Sequence, residues 1–295
     1  MSRLGFLGLG KMGAAMAPRL LGDGRSLVVW IRNAARVGPL VAAGATAAST
    51  PRELVRDADV VFVMIRDDAA AASVYEGPDG LLAGDAGGRL FIEMSTLRPA
   101  TIARLDALVR GRGAALLDAP VSGTVGPARD GKLLALVGAS AADLQRARPF
   151  LDLLCRRIVH AGPVGQGALM KLVVNLPLAV YWQSLAEALA LGHAGGLEYR
   201  AMLETLQDSS AALAVLGLKT PVILGDAPAP AFDVASMQKD VLYMLETGSA
   251  SGVPMPATAA ALATYSAAIA GGLGAEDAVA IVRFLAERMT RKRPP

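Results

Sequence analysis

One cysteine, Cys155, and two histidines, His160 and His193, are all that 295 residues contain of those types. A lone cysteine closes no internal disulfide, so nothing points to an oxidising compartment, and the chain reads as cytoplasmic. With so few thiol and imidazole groups no metal-ligand spacing exists, and no metal is expected. Each histidine is isolated from other chemistry-bearing residues and reads as a hydrogen-bonded structural residue. Aromatic residues make up only 4%, and charge is nearly balanced, 29 Lys and Arg against 26 Asp and Glu. The one dense basic cluster is the tail Arg288, Arg291, Lys292 and Arg293. With no basic stripe elsewhere it reads as a solvated helix end, and no nucleic-acid partner is expected.

A long uninterrupted apolar run is also lacking. Gly5, Gly8, Gly10 and Gly13 break the apolar N-terminus, which reads as a strand and a turn and not as a cleaved leader. The stretch from Leu172 to Leu191 carries Asn175, Gln183 and Glu187 at helical spacing. That pattern predicts a buried helix and no membrane span.

Hydrophobic residues are abundant, at 53%, and are mostly Ala, Leu and Val, material for two helix-rich cores. Up to about residue 160, short β-branched runs alternate with amphipathic stretches. The predicted strands are Leu4 to Leu7, Leu27 to Ile31, Val60 to Ile65, Leu90 to Glu93, Ala115 to Leu117, Leu133 to Val137 and Arg157 to His160. Predicted helices include Gly13 to Leu21, Pro99 to Arg110 and Ala141 to Leu153. This is the pattern of an α/β unit, a parallel sheet wound with helices on both faces. After Gly162 the alternation stops. A long helix from about Gly167 to Ala194, kinked early by Pro177, opens an all-helical region punctuated at Gly195-Gly196, Pro228 to Pro230, Pro254-Met255-Pro256 and Gly271-Gly272. The expected domains are 1–163 and 164–295.

Gly8-Leu9-Gly10-Lys11-Met12-Gly13 fits G-x-G-x-x-G directly after the first predicted strand. In that place Gly8 permits a tight turn, Gly10 lets backbone approach a pyrophosphate, and Gly13 lets helix pack on strand. A dinucleotide site of Rossmann type is therefore expected, with Met64 and Ile65 at the end of another strand as further cofactor contacts; the bland alternative is a glycine-rich turn without ligand. The second strand ends Trp30-Ile31-Arg32-Asn33 without a carboxylate. A carboxylate there would repel a 2′-phosphate, whereas Arg32 and Asn33 offer it a charged fork and an amide, so NADPH is expected over NADH.

Reducing a carbonyl requires a proton donor. Lys171 lies in the first turns of the long apolar helix, flanked by Leu169, Met170, Leu172 and Val173, and Asn175 shares its helix face. Desolvation would lower the lysine's pKa and poise it to give up a proton. From spacing alone, a lysine snorkelling from a helix end is the favoured reading of Lys171. Asp118-Ala119-Pro120-Val121-Ser122-Gly123-Thr124 follows a strand at the sheet's carboxyl edge. Ser122, Gly123 and Thr124 could hold a carboxylate there or form a plain connection.

Taken in order, Phe6 to Gly13 with Met16-Ala17, Glu93-Met94-Ser95-Thr96, Asp118 to Gly123, Gly162-Pro163-Val164-Gly165-Gln166-Gly167 leading to Lys171 and Asn175, and Lys239-Asp240 resemble the β-hydroxyacid dehydrogenases. That family includes 3-hydroxyisobutyrate dehydrogenase, tartronate semialdehyde reductase and the glyoxylate and succinic semialdehyde reductases. The resemblance implies an oxidoreductase acting on a small carboxylate-bearing substrate. It implies Lys171 as general acid/base, Ser122, Gly123 and Asn175 as substrate ligands, Thr96 and Lys239 as cofactor contacts, and Phe232 near the nicotinamide edge. It also implies a homodimer or homotetramer built through the helical domain. The chain departs from the family pattern at Val174, where many members carry Asn, at Thr124 (Gly), at Arg66 (Pro) and at Ile31 (Asn). An imine reductase and a non-catalytic NADPH-binding module are the rival readings, and both typically lack the lysine.

Overall fold

The computed structural model describes residues 2–226 and 230–290. The expected punctuation at Pro228 and the basic residues Arg291, Lys292 and Arg293 lie outside the described residues. The chain divides into two compact units, Met1–Leu172 and Val173–Pro295.

The first unit is built on a nine-stranded sheet. Its strands are β1 (Arg3–Leu7), β2 (Ser26–Trp30), β3 (Thr46–Ala47), β4 (Val60–Val63), β5 (Leu90–Glu93), β6 (Ala115–Asp118), β7 (Val121–Ser122), β8 (Leu133–Gly138) and β9 (Cys155–Gly162). Between them run α1 (Lys11–Met16), α2 (Gly38–Ala42), α3 (Pro51–Arg56), α4 (Asp68–Glu76), α5 (Pro99–Arg110), α6 (Val125–Arg129) and α7 (Ala141–Leu151). The spatial order is β3-β2-β1-β4-β5-β6-β8-β7, with β9 paired to β8. From β3 to β6 every pairing is parallel.

Both faces of these strands are buried, because consecutive residues point to opposite sides. Phe6, Phe62, Ile92 and Leu117 pack into one core, while Leu7, Val61, Val63, Phe91 and Leu116 pack into the other. Phe6 and Phe62 stack across β1 and β4, with ring centroids 6.0 Å apart. The expected doubly wound architecture is thus observed, with an addition at one end. There β8 runs antiparallel to β6 and β7, and the segment after β6 folds back as the short strand β7.

Several element bounds fall where the sequence places them. β5 and α5 match their expected limits, α5 beginning at Pro99 because proline's missing N–H costs nothing in a first turn. The strand expected over Val60 to Ile65 stops at Val63, and Met64 and Ile65 turn out of the sheet at its carboxyl edge. β1 lies between β2 and β4, so the winding reverses beside it. In open α/β sheets ligands bind in the crevice at such a reversal, beyond the carboxyl ends of the strands.

The long helix α8 (Gln166–Ala194) runs unbroken through the exposed Pro177, and the division between the two units falls within it. By length and composition alone it could cross a membrane. Its buried positions Leu172, Asn175, Ala179, Trp182, Ala186 and Leu189 recur at alternating spacings of three and four, the stripe of a helix packed on one side. Among the described residues the second unit contains α9 (Tyr199–Gln207), α10 (Leu216–Leu224), α11 (Val234–Ala250), α12 (Pro256–Ala270) and α13 (Ala280–Thr290), and no strand beyond a bridge between Asp233 and Asp277. The Tyr265 hydroxyl on α12 donates to the Ala179 carbonyl of α8 at 3.1 Å.

Candidate active site

The turn from β1 into α1 assigns separate tasks to its three glycines. Gly8 has φ +97°, and a Cβ there would lie 2.1 Å from the Met64 carbonyl oxygen. A Cβ on Gly13 would lie 1.9 Å from the Gly8 carbonyl oxygen, so both positions are closed by the protein's own backbone. Gly10 is different: it is exposed, and a Cβ there would meet nothing within 4 Å. The space over Gly10 is the cradle a pyrophosphate needs, and the turn therefore fits a dinucleotide. Lys11 is exposed beside it, Leu9 is buried, and Met12 packs partly into the core.

Around this turn stand the ends of the neighbouring strands. Arg32 and Asn33 are exposed just past β2. The Asn33 side-chain oxygen accepts the N–H of Ala35 at 3.2 Å, capping the 3₁₀ turn Ala34–Arg36. Past β4, the Ile65 N–H donates to the Ser95 hydroxyl at 2.8 Å, which ties that loop to the end of β5, where Thr96 is half-buried.

Two carboxylates given no separate role in the sequence reading lie side by side here, since Glu93 and Asp118 are register partners on β5 and β6. Both are fully buried. Glu93 accepts the Ser95 N–H at 3.0 Å and the Tyr75 hydroxyl at 3.1 Å. Burial pushes its carboxyl up to about 7 despite those donors, with the neighbouring Asp118 adding to the rise. Asp118 is pushed up to about 6 by burial, opposed by backbone N–H groups at the start of α8. Beyond β6, Ser122 is half-buried on β7, while Gly123, at φ +132°, and Thr124 are exposed. Lys171 lies in the first turns of α8 and is half-buried.

In the second unit, the buried Asn175 donates its amide N–H to Asp240 Oδ2 at 2.8 Å. Asp240 is itself fully buried, and its Oδ1 lies 3.0 Å from the Lys239 ammonium, which also sits over the Tyr243 ring. One carboxylate thus joins Asn175 and Lys239, two residues the sequence reading named separately. Phe232 is half-buried just before α11, and its carbonyl accepts the Ala278 N–H. The histidines have structural contacts: His160 Nε2 lies 2.9 Å from the Ala139 carbonyl, and His193 packs on Tyr199. An acid closing an otherwise apolar strand, as in Leu90-Phe91-Ile92-Glu93, was the available signal for the buried carboxylates.

Two outcomes follow. Gly10→Ala meets no protein atom and its φ of −65° suits any residue, so thermal stability should hold or rise slightly while dinucleotide affinity falls at least about tenfold. Fluorescence titration beside a melting curve checks this. Glu93 holds its proton to about 7 in the fold, against an ordinary value of 4.5, so the folded state binds more protons across that window. Stability should therefore fall as pH rises from about 4.5 to 7. Glu93→Gln, which cannot ionise, should show a shallower fall in melting temperature over that range; equal slopes would contradict the assignment.

Comparisons with known proteins match both parts of the chain. Residues 3–162 match the NAD binding domain of 6-phosphogluconate dehydrogenase, and residues 165–285 match the NAD-binding region of NADP-dependent 3-hydroxyisobutyrate dehydrogenase. An NAD-dependent L-serine dehydrogenase of Pseudomonas aeruginosa is 39% identical over 94% of this chain and 95% of its own. Glyoxylate/succinic semialdehyde reductase 1 of Arabidopsis thaliana is 33% identical over 95% of this chain and 96% of its own. A solved 3-hydroxyisobutyrate dehydrogenase of Mycobacterium tuberculosis with L-serine superposes with a TM-score of 0.85 at 29% identity, over 97% of this chain and 99% of that one. Matched in both halves and along its length, this chain belongs to the β-hydroxyacid dehydrogenase family of NAD(P)-binding oxidoreductases.

Proposed function

We propose that the protein interconverts a small 3-hydroxy acid and its semialdehyde, preferring NADPH, with Lys171 as general acid/base. The observation that carries this reading is the position of Lys171, half-buried in the opening turns of a helix that starts at the sheet's carboxyl edge. A lysine amine at that place can give a proton to, or take one from, the oxygen of a bound substrate. A nicotinamide dinucleotide whose pyrophosphate is held over the Gly10 turn would supply or accept the hydride. In the reducing direction the carbonyl π electrons move to oxygen, and Lys171 gives that oxygen a proton, leaving the hydroxy acid and a neutral amine. In the oxidising direction the neutral amine takes the hydroxyl proton.

The substrate carboxylate is assigned to Ser122 and Gly123, with Thr124 beside them, on the segment after β6 that is open to solvent. Asn175 is held at its amide nitrogen by Asp240, which leaves its side-chain oxygen to orient the substrate hydroxyl. L-serine and 3-hydroxyisobutyrate, named with two of the relatives, are both 3-hydroxy acids, which supports this substrate class. Preference for NADPH is supported by exposed Arg32 at the end of a strand that carries no carboxylate. Apolar side chains exposed on the helical unit, Leu197, Leu218 and Val253 among them, support association into a homodimer or homotetramer.

The test is an assay of nicotinamide oxidation with succinic semialdehyde, glyoxylate, tartronate semialdehyde, methylmalonate semialdehyde and a cyclic imine. Turnover of one or more aldehydes is expected, and turnover of the imine alone would overturn the reading. In the same assay Arg32→Ala should lower the NADPH-to-NADH ratio of kcat/KM by about tenfold, as loss of a charged phosphate contact requires. An unchanged ratio would remove Arg32 from cofactor choice.

A further inference from the structure

The chemistry proposed above makes no use of the buried carboxylate of Asp118, yet that side chain touches the helix bearing Lys171. Its Oδ1 accepts the Gly165 N–H at 2.7 Å and its Oδ2 accepts the Ala168 N–H at 2.6 Å. Helices usually receive such a cap from a Ser, Thr, Asp or Asn at their own start. The residue before α8 is Gly165, which has no side chain, and the acceptor comes instead from the end of a sheet strand.

The fit around this carboxylate is close. A Cβ on Gly138 would lie 2.4 Å from Oδ1, and one on Gly167 would lie 2.8 Å from Oδ2. Glycine at both positions is what lets strand, carboxylate and helix meet. Lys171 follows Gly167 and Ala168 at helical spacings of four and three, so it lies on the same side of the helix one turn further on. A helix moves as a rigid rod, and a shift or rotation of its first turn is passed directly to the next.

We infer that Asp118 is a positioning residue, whose carboxylate fixes the height and rotation of the first turn of α8 and so sets where Lys171 delivers its proton. This rests on Lys171 being the proton donor.

The test is a double-mutant cycle of Asp118→Asn and Lys171→Ala, read as kcat, KM and cofactor Kd on the full chain. Asparagine keeps the size and one acceptor but sets an NH₂ against a backbone N–H. Lys171→Ala alone should lower kcat by about 100-fold or more. Asp118→Asn alone should lower kcat by about 10- to 100-fold, the cost of misplacing a reacting group by about an ångström, with cofactor Kd within about twofold of the parent. In the Lys171→Ala background Asp118→Asn should cost less than about twofold more. An equal drop in both backgrounds, or no drop in either, overturns the inference while leaving Lys171 as the donor. Undiminished kcat in Lys171→Ala sinks the donor reading, and the inference with it. If neither Asp118→Asn nor the smaller Asp118→Ser yields folded protein, Asp118 holds the fold and not the lysine, which also overturns it.

Discussion

The first turn of α8 has no capping side chain of its own, and the N–H groups of Gly165 and Ala168 are satisfied by Asp118 at the end of β6. That contact fastens the helix to the sheet at the carboxyl edge, where the winding reversal already opens a crevice. Through it the position of Lys171 is referred to the carboxyl edge of the sheet whose β1 end carries the Gly8–Gly13 turn. Glycine at 138 and 167 lets β8, the carboxylate and the helix meet, since a Cβ at 138 would lie 2.4 Å from Asp118 Oδ1 and one at 167 would lie 2.3 Å from the Leu136 carbonyl oxygen.

A buried ion costs several kcal/mol in lost hydration, and only good hydrogen bonds offset it. Hydrogen bonds to a charged group contribute about 1.5–3 kcal/mol each, and Asp118 receives two short ones. The neighbouring Glu93, when charged, would repel a charged Asp118, and burial pushes both carboxyls up, Glu93 to about 7 and Asp118 to about 6. Glu93 in turn holds the Ser95 N–H, and the Ser95 hydroxyl holds the Ile65 N–H. One pair of adjacent strand ends thereby organises both the loop past β4 and the start of α8. Asp240 performs a parallel task in the second unit, where a single buried carboxylate orients Asn175 and Lys239.

Much of the fold was legible because burial leaves a periodic trace. β5 is a continuous apolar run, α5 opens on proline, and α12 starts at Pro256 and ends before Gly271. What escaped has a physical reason. β3 is two exposed residues, Thr46 and Ala47, too short and too polar to show a period. β7 is two residues inside a segment that reads as a loop, and it becomes a strand only through its antiparallel partner β8. α3 was readable: the Thr50 hydroxyl accepts the Glu53 N–H and Glu53 accepts the Ser49 N–H, the capping pattern of a Thr followed three residues later by Glu. At the site, the glycine motif and Lys171 could be named from order and spacing. Asp118 and Asp240 could not be given tasks, because their partners lie 47 and 65 residues away in the chain.

In the proposed reaction the Lys171 amine moves the proton. Lys171→Ala removes that amine and leaves space where it stood, so a small primary amine added to the buffer tests the claim most directly. With ethylamine or methylamine the variant's rate should rise in proportion to amine concentration, while wild-type turnover stays unchanged. A variant that stays equally slow at every amine concentration, with cofactor and substrate still bound, would contradict the account.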